Sequence, residues 1–252
     1  MAKQASIIKL KGTIGGITFY KTSQDGYLAK EKGGIEASRI ANDPNFQRTR
    51  ENGSEFGHAG KSGKLLRNSL RVLLQNASDT RMVSRLTAAM VTVLQADATS
   101  TRGQRNVIDG EAELLEGFEF NINAKLSTTL FAPFTPTIDR VAGTLVADIP
   151  SFIPLNMIAT PGGATHFRII SAGAEIDFTN ETFVMATQST AILPWDSNAT
   201  AAINLSNAVT AGSKLPLFLA LGIEFYQEVN GVQYSLKNGA FNALSLVKVS
   251  GM

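Results

Sequence analysis

The stretch Leu215–Asn238, LPLFLALGIEFYQEVNGVQYSLKN, decides the class of fold. Asn230-Gly231 divides it into two runs rich in β-forming residues, and both residues tolerate the positive φ of a tight two-residue turn, so the stretch reads as a β-hairpin. The same grammar extends back to about Leu114. GFEFNINAKLSTTLF (117–131), TIDRVAGTLVADI (137–149), HFRIISAGAEIDF (166–178), TFVMATQSTAIL (182–193) and, beyond the hairpin, AFNALSLVKVS (240–250) each read as a strand, with Pro, Gly and Asn as punctuation. Short strands at such spacing predict an antiparallel β-sandwich or barrel over residues 111–252.

Upstream of this half the apolar period becomes helical. Asn42-Asp43-Pro44 supplies a capping side chain and a proline suited to a first helical turn. Leu66, Leu70, Leu73 and Leu74 then recur at three- and four-residue spacing. Asn76-Ala77-Ser78-Asp79 breaks and recaps the chain before Met82, Leu86, Ala89, Met90, Val93 and Leu94 form a second stripe, which predicts an αα-hairpin. ATSTRGQRNVIDG (98–110) reads as a connector. Residues 42–110 are thus a helical module.

Before it, KLKGTIGGITFYKTSQDGYLAKEKGG (9–34) reads as two strands around Ser23-Gln24-Asp25-Gly26, an arm over residues 1–41 with too much lysine and glycine to bury a core of its own. The expected class is α+β: an N-terminal β-hairpin arm, a helical hairpin and a C-terminal antiparallel β-sandwich. A ribbon of two strands is marginal in water, and its edges carry unpaired amides and carbonyls, so the arm needs a partner.

Four glycines, Gly53, Gly57, Gly60 and Gly63, fall on one face if the first helix starts near Pro44. Each costs on the order of 1 kcal/mol relative to alanine, which asks for a compensating contact such as a neighbouring backbone. The alternative is a loop that lasts until Gly63. Lys61, Lys64, Arg67 and Arg71 follow along one side. Residues 1–110 hold 17 Lys+Arg against 9 Asp+Glu, a balance of +8, and residues 111–252 hold 6 against 12, a balance of −6. The basic stripe therefore has two uses: pairing with an acidic module, where Glu111, Glu113, Glu116 and Glu119 come in quick succession, or contact with a nucleic-acid backbone. Pairing within or between copies ranks first, because aromatic stacking partners are scarce beside the stripe.

Catalytic patterns are lacking. Gly60-Lys61-Ser62 has the ending of a phosphate-binding loop, but Glu55 stands where the pattern needs glycine. The chain has no cysteine and two histidines, His58 and His166, and contains no G-x-S-x-G elbow. Neither a cofactor nor a metal is expected, and a non-enzyme is the reading. No apolar run approaches the roughly 20 residues of a membrane span, and Met1–Gln4 has no apolar signal core, so synthesis in the cytoplasm is expected.

The blocks GTIGGITFYKTSQDGYLAKEKGG and DPNFQRTRENGSEFGHAGKSGKLLR resemble the start of a group of proteins from Bacteroidota and their mobile elements, in which a glycine-rich hairpin precedes a Gln/Arg-rich helix. The resemblance covers about the first 110 residues and implies no activity. The plan of basic arm, helical unit and sandwich is also similar to subunits of phage particles and proteinaceous tubes. The expected function is a self-assembling structural subunit whose partners are copies of itself, with or without accessory assembly proteins, in a particle that can leave the cell. Ile14, Ile17, Phe19, Tyr20 and Tyr27 are the expected arm anchors, and Gly53, Gly57 and Gly60 the face that receives them. The alternative is a nucleic-acid-binding or packaging protein that uses Lys61, Lys64, Arg67 and Arg71.

Overall fold

The computed structural model describes residues 2–236 and 241–252. Both helices and antiparallel sheets are present, so the fold is α+β. The chain divides into two compact units, Met1–Arg50 and Glu51–Met252. The boundary expected near residue 110 falls inside the second unit.

The first unit holds a four-stranded sheet in the order β1-β4-β3-β2, formed by β1 (Ala2–Lys3), β2 (Gly12–Ile14), β3 (Ile17–Thr22) and β4 (Gly26–Glu31). The expected hairpin is its middle pair: Thr22 faces Gly26, and Thr22 Oγ1 accepts the Asp25 amide at 2.9 Å. The flanking strands are additions that the alternation around the hairpin did not signal. Gln4, just after β1, ties the loop between them to β4, donating from Nε2 to the Leu28 carbonyl at 2.9 Å and accepting the Leu10 amide on Oε1 at 2.8 Å. A short helix, α1 (Ala37–Asn42), follows, then a 3-10 turn at Pro44–Phe46 where the Asp43 carboxylate accepts the Asn45 amide, as the capping reading requires.

Helix α2 (Gln47–Ser69) is continuous through all four glycines, which settles the loop alternative against it. Leu70 leaves helical geometry and the turn α3 (Arg71–Leu74) finishes the apolar stripe before α4 (Met82–Gln95). Leu66, Leu70, Leu73 and Leu74 are buried, as are Met82, Leu86, Met90, Val93 and Leu94.

These side chains cover one face of a six-stranded sheet. Its centre is the long pair β7 (His166–Asp177) and β11 (Leu217–Val229), with β8 (Thr182–Ser189) and β9 (Leu193–Pro194) beside β7, and β12 (Val232–Ser235) and β13 (Ala243–Ser250) beside β11. Ile170, Ala172, Ala174 and Ile176 of β7, Phe218 and Ala220 of β11, and Leu244 and Leu246 of β13 point toward the helices. The alternate residues, Phe167, Ile169, Leu217, Leu219, Leu221, Ile223 and Phe225, point the other way. There they meet Leu145, Ala147, Ile149 and Leu205 from a three-stranded sheet of β5 (Thr135–Asp139), β6 (Thr144–Ile149) and β10 (Ile203–Ala208), ordered β10-β6-β5. Strand β11 is covered on both faces, which is why Leu217–Ile223 is apolar without polar alternation. Fully burying each of its large side chains contributes roughly 1.5–3 kcal/mol. Between the two sheets, Gly173 of β7 leaves room for Asn207 of β10, whose Cβ would stand 2.8 Å from an added methyl group.

The Asn230-Gly231 hairpin is as expected, with φ of 52° and 77° and Val229 opposite Val232. Lys237, Asn238 and Ala240, which the expected strands include, lie outside the described residues. Four strand expectations need correction. TFVMATQSTAIL is not one strand: β8 ends at Ser189, and Leu193 belongs to β9, which pairs separately with His166 and Phe167 of β7. TIDRVAGTLVADI is a hairpin rather than one strand: Asp139 Oδ1 accepts the Ala142 amide at 2.9 Å and Gly143 has φ +69°, a turn that apolar Val141 and Ala142 disguise. GFEFNINAKLSTTLF is not a strand over its length. Gly117–Phe120 does bond to Leu244 and Leu246 of β13, but Asn121 then donates to the Asn242 carbonyl and Glu119 accepts the Leu126 amide, turning the chain into α5 (Leu126–Thr129). Strand β10 was not expected because its inward positions end in a polar residue, Asn207, which donates to Ser171 Oγ at 2.8 Å. A last helical turn, α6 (Pro154–Met157), links β6 to β7.

Candidate assembly surfaces

Within the first unit the sheet has almost no interior. Among its described residues only Leu28 is buried. Ile14 is 63% exposed and Ile17 47%, while Phe19, Tyr20 and Tyr27 are half-buried. The two tyrosines lie under cations from the paired strand, Lys21 Nζ being 5.4 Å from the Tyr27 ring and Lys30 Nζ 5.5 Å from the Tyr20 ring. Ile7 is fully exposed and Ile8 is 73% exposed, two apolar side chains not among the expected anchors although the run Ile-Ile-Lys-Leu-Lys alternates. The sheet ends at β1 on one side and at β2 on the other, so both outer edges offer unpaired amides and carbonyls.

Helix α2 carries its glycines on two sides. A methyl group added at Gly53, Gly57 or Gly60 meets nothing within 4 Å, whereas one at Gly63 sits 3.6 Å from Leu86 Cγ and 3.7 Å from Met90 Cγ. Gly63 belongs to the packed face, and the other three form a bare strip open to solvent. Lys64 and Arg67 continue that strip at the same four- and three-residue spacing, and Arg71 follows beyond the break at Leu70. Lys61, Lys64 and Arg71 are exposed, and Arg67 donates from Nε to the Gly63 carbonyl at 3.2 Å.

Three of the four acids expected to pair with this stripe are engaged elsewhere. Glu113 accepts the Gly251 amide, Glu116 pairs with Lys248 at 3.4 Å, and Glu119 accepts the Leu126 amide. Burial pushes the Glu119 carboxyl above its usual pKa, against the lowering effect of that amide. Other ion pairs inside the second unit join Arg102 to Glu51, Arg105 to Glu55, Arg85 to Asp79 and Arg168 to Glu224. Among the described residues none involves Lys61, Lys64, Arg67 or Arg71.

Two of the cavities in this unit bear charged side chains of the helices or the central sheet. One, of about 430 Å³, is lined by His58, Lys61, Ser62, Asp109, Phe178 and Glu181. His58 donates from Nδ1 to the Arg105 carbonyl at 3.1 Å, since a carbonyl can only accept. Gly60, Lys61 and Ser62 lie inside α2 rather than in a loop after a strand, so their amides are bonded within the helix and build no phosphate cradle. The second cavity, of about 360 Å³, exposes one side of Arg168. Arg168 Nη2 donates to buried Glu224 at 2.5 Å, and Asn76 Nδ2 and Tyr226 Oη complete the carboxylate's partners at 2.9 and 3.1 Å. Burial pushes the Glu224 pKa up, but the bonds from Asn76 and Arg168 outweigh it and hold the acid below its usual value. Burial and the Glu224 charge raise Tyr226 to about 12. No cluster of three metal-ligating side chains and no helix long and apolar enough to cross a membrane occurs among the described residues.

In comparisons with known proteins, the chain matches no family model, no curated protein and no solved structure.

Proposed function

We propose that the protein is a self-assembling structural subunit of a tube, filament, sheath or phage-like particle, in which the N-terminal arm engages neighbouring copies. The observation that carries the reading is the imbalance of the first unit: a sheet with two open edges, exposed Ile7, Ile8, Ile14 and Ile17, and one buried side chain. Such a sheet gains its order from strand pairing or docking onto another surface. The bare strip at Gly53, Gly57 and Gly60 lets a neighbouring backbone come close, because no side chain stands in its way. The partners are copies of the chain, and its chemistry is association rather than catalysis.

The test is deletion of residues 1–34. The shortened protein is expected to fold and remain unassembled; particles of normal size in negative-stain electron microscopy would refute the reading. A second reading, nucleic-acid binding, is favoured by one observation, the three exposed cations Lys61, Lys64 and Arg71 that no carboxylate of the described residues pairs with. It requires DNA retention that falls steeply with salt and disappears when Lys64, Arg67 and Arg71 are changed to glutamate.

A further inference from the structure

The helix-facing side of the central sheet is apolar along Ile170, Ala172, Ala174 and Ile176 of β7, and it changes character at one end. Arg168 shares the Ile170 side of β7, and the register sets Glu224 of β11 opposite it. On the other flank Thr187 and Ser189 of β8 stand opposite Ala172 and Ile170, so their side chains point the same way. Helix α3 ends at Leu74 and leaves the cavity of about 360 Å³ over these residues, with Gln75 at its rim. The turn that carries Gln75 is fixed, because Asn242 Nδ2 donates to the Asn76 carbonyl at 3.0 Å.

Arg168 is held from one side and open on the other. Its Nε and Nη2 both donate to Glu224 Oε2, at 3.2 and 2.5 Å, and its Cζ lies 5.5 Å from the centre of the Tyr226 ring. That occupies the side-on fork of the guanidinium. The end-on fork, Nη1 with the second Nη2 hydrogen, remains: Nη1 has no hydrogen-bond partner among the described residues, and the side chain is 33% exposed where that of Glu224 is 3%. The side chains of Gln75, Thr187 and Ser189 likewise have no hydrogen-bond partner among the described residues. An ion pair kept for stability alone gains nothing from an open fork, and an apolar pair of the same volume would serve as well.

We infer that this cavity binds a small hydroxylated monocarboxylate of the sugar-acid type, its carboxylate on the end-on fork of Arg168 and its hydroxyls on Gln75, Thr187 and Ser189. A planar fork fixed in advance matches a carboxylate through two parallel bonds at little ordering cost. Charge selects among anions. Glu224 already balances Arg168, and among the described residues no other Lys or Arg lines the cavity. A monoanion therefore leaves one net negative charge there, whereas a phosphate dianion would leave two. At about 30 Å³ per water-sized group, 360 Å³ holds roughly a dozen non-hydrogen atoms, the size of a hexuronic acid. Ile170 supplies an apolar floor for the C–H face of such a ring.

Isothermal titration calorimetry of the full-length protein with glucuronate tests this, with glucose, cyclohexanecarboxylate and inorganic phosphate as comparators. Glucuronate is expected to bind saturably at one site per chain. Each comparator should bind at least about tenfold more weakly, because glucose lacks the carboxylate, cyclohexanecarboxylate the hydroxyls and phosphate the single charge. Arg168→Lys keeps a cation for Glu224 but removes the fork, so it should weaken glucuronate at least about tenfold. Ser189→Ala and Thr187→Val, at exposed positions, should each weaken binding about threefold or more with the melting temperature unchanged, which keeps the test valid should Arg168→Lys fail to fold. The inference is overturned if glucuronate shows no saturable binding below about 10 mM, if phosphate binds as tightly, or if neither Arg168→Lys nor the two β8 variants diminish binding. Each of these results leaves the assembly reading to its own deletion test.

Discussion

Replacing Gly53, Gly57 and Gly60 together with alanine separates helix stability from assembly. All three sit inside α2, and an added methyl group at each meets no atom within 4 Å. Alanine therefore gains helix propensity of about 1 kcal/mol per site with no clash to set against it, or about 3 kcal/mol in all. For a cooperative unit of this size, each kcal/mol moves the melting temperature by roughly 2–4 °C, so the triple variant should melt roughly 6–12 °C higher. If the bare strip receives a neighbouring backbone, the same methyl groups hold that backbone away and assembly should weaken. Urea denaturation with a circular dichroism readout measures the first effect, and light scattering with electron microscopy the second. A triple variant less stable than the parent would refute the open geometry of this face. One that is stabilised yet assembles normally would refute its role as a receiving surface.

Other expectations follow from the second unit. Arg168→Met should destabilise it by roughly 3 kcal/mol, because Glu224 is left buried without its cation; a shift below about 1 kcal/mol in urea unfolding would show that Asn76 and Tyr226 suffice. Glu224, Asp79 and buried Asp97 all have folded pKa values below those of the unfolded chain, in each case because amide and side-chain bonds overcome the upward push of burial. Their stabilising contribution is complete above the ordinary carboxyl values of 4.5 and 3.8 and is lost as pH falls through the folded values, so urea midpoints should drop below about pH 4. Asp97→Asn should flatten that decline, since its carboxylate accepts amides from Thr99, Ser100 and Asn106; an unchanged slope would assign the decline to other acids. Gly173→Ala should cost more than 1 kcal/mol through contact with Asn207, and an unchanged melting temperature would show that the sheets can part.

Much of the architecture was legible because strong local signals agreed with tertiary packing. The 3.6-residue period of Met82, Leu86, Met90, Val93 and Leu94 is the face that meets the sheet, and Asn230-Gly231 could hardly be anything but a turn. The misreadings arose where side chains replaced backbone pairing. Asn121 and Glu119 divert a strand-like segment by bonding to distant or nearby backbone, and Asn207 occupies an inward position that an alternation rule assigns to an apolar residue. The fate of the basic stripe was illegible for a related reason. Composition shows that acids are available, but only folding shows that Glu113, Glu116 and Glu119 are committed to the amides of Gly251, Val249 and Leu126. The arm anchors were readable as residue types, whereas the exposure of Ile7 and Ile8 follows from a loop that Gln4 pins between Leu28 of β4 and Leu10, a tie no local pattern signals.

The measurement closest to the central claim is amide hydrogen exchange of Ile17–Glu31 at increasing protein concentration. The account predicts exchange near the rate of an unstructured chain in dilute solution and strong protection once copies associate. Equal protection at every concentration, with the protein monomeric throughout, would contradict it.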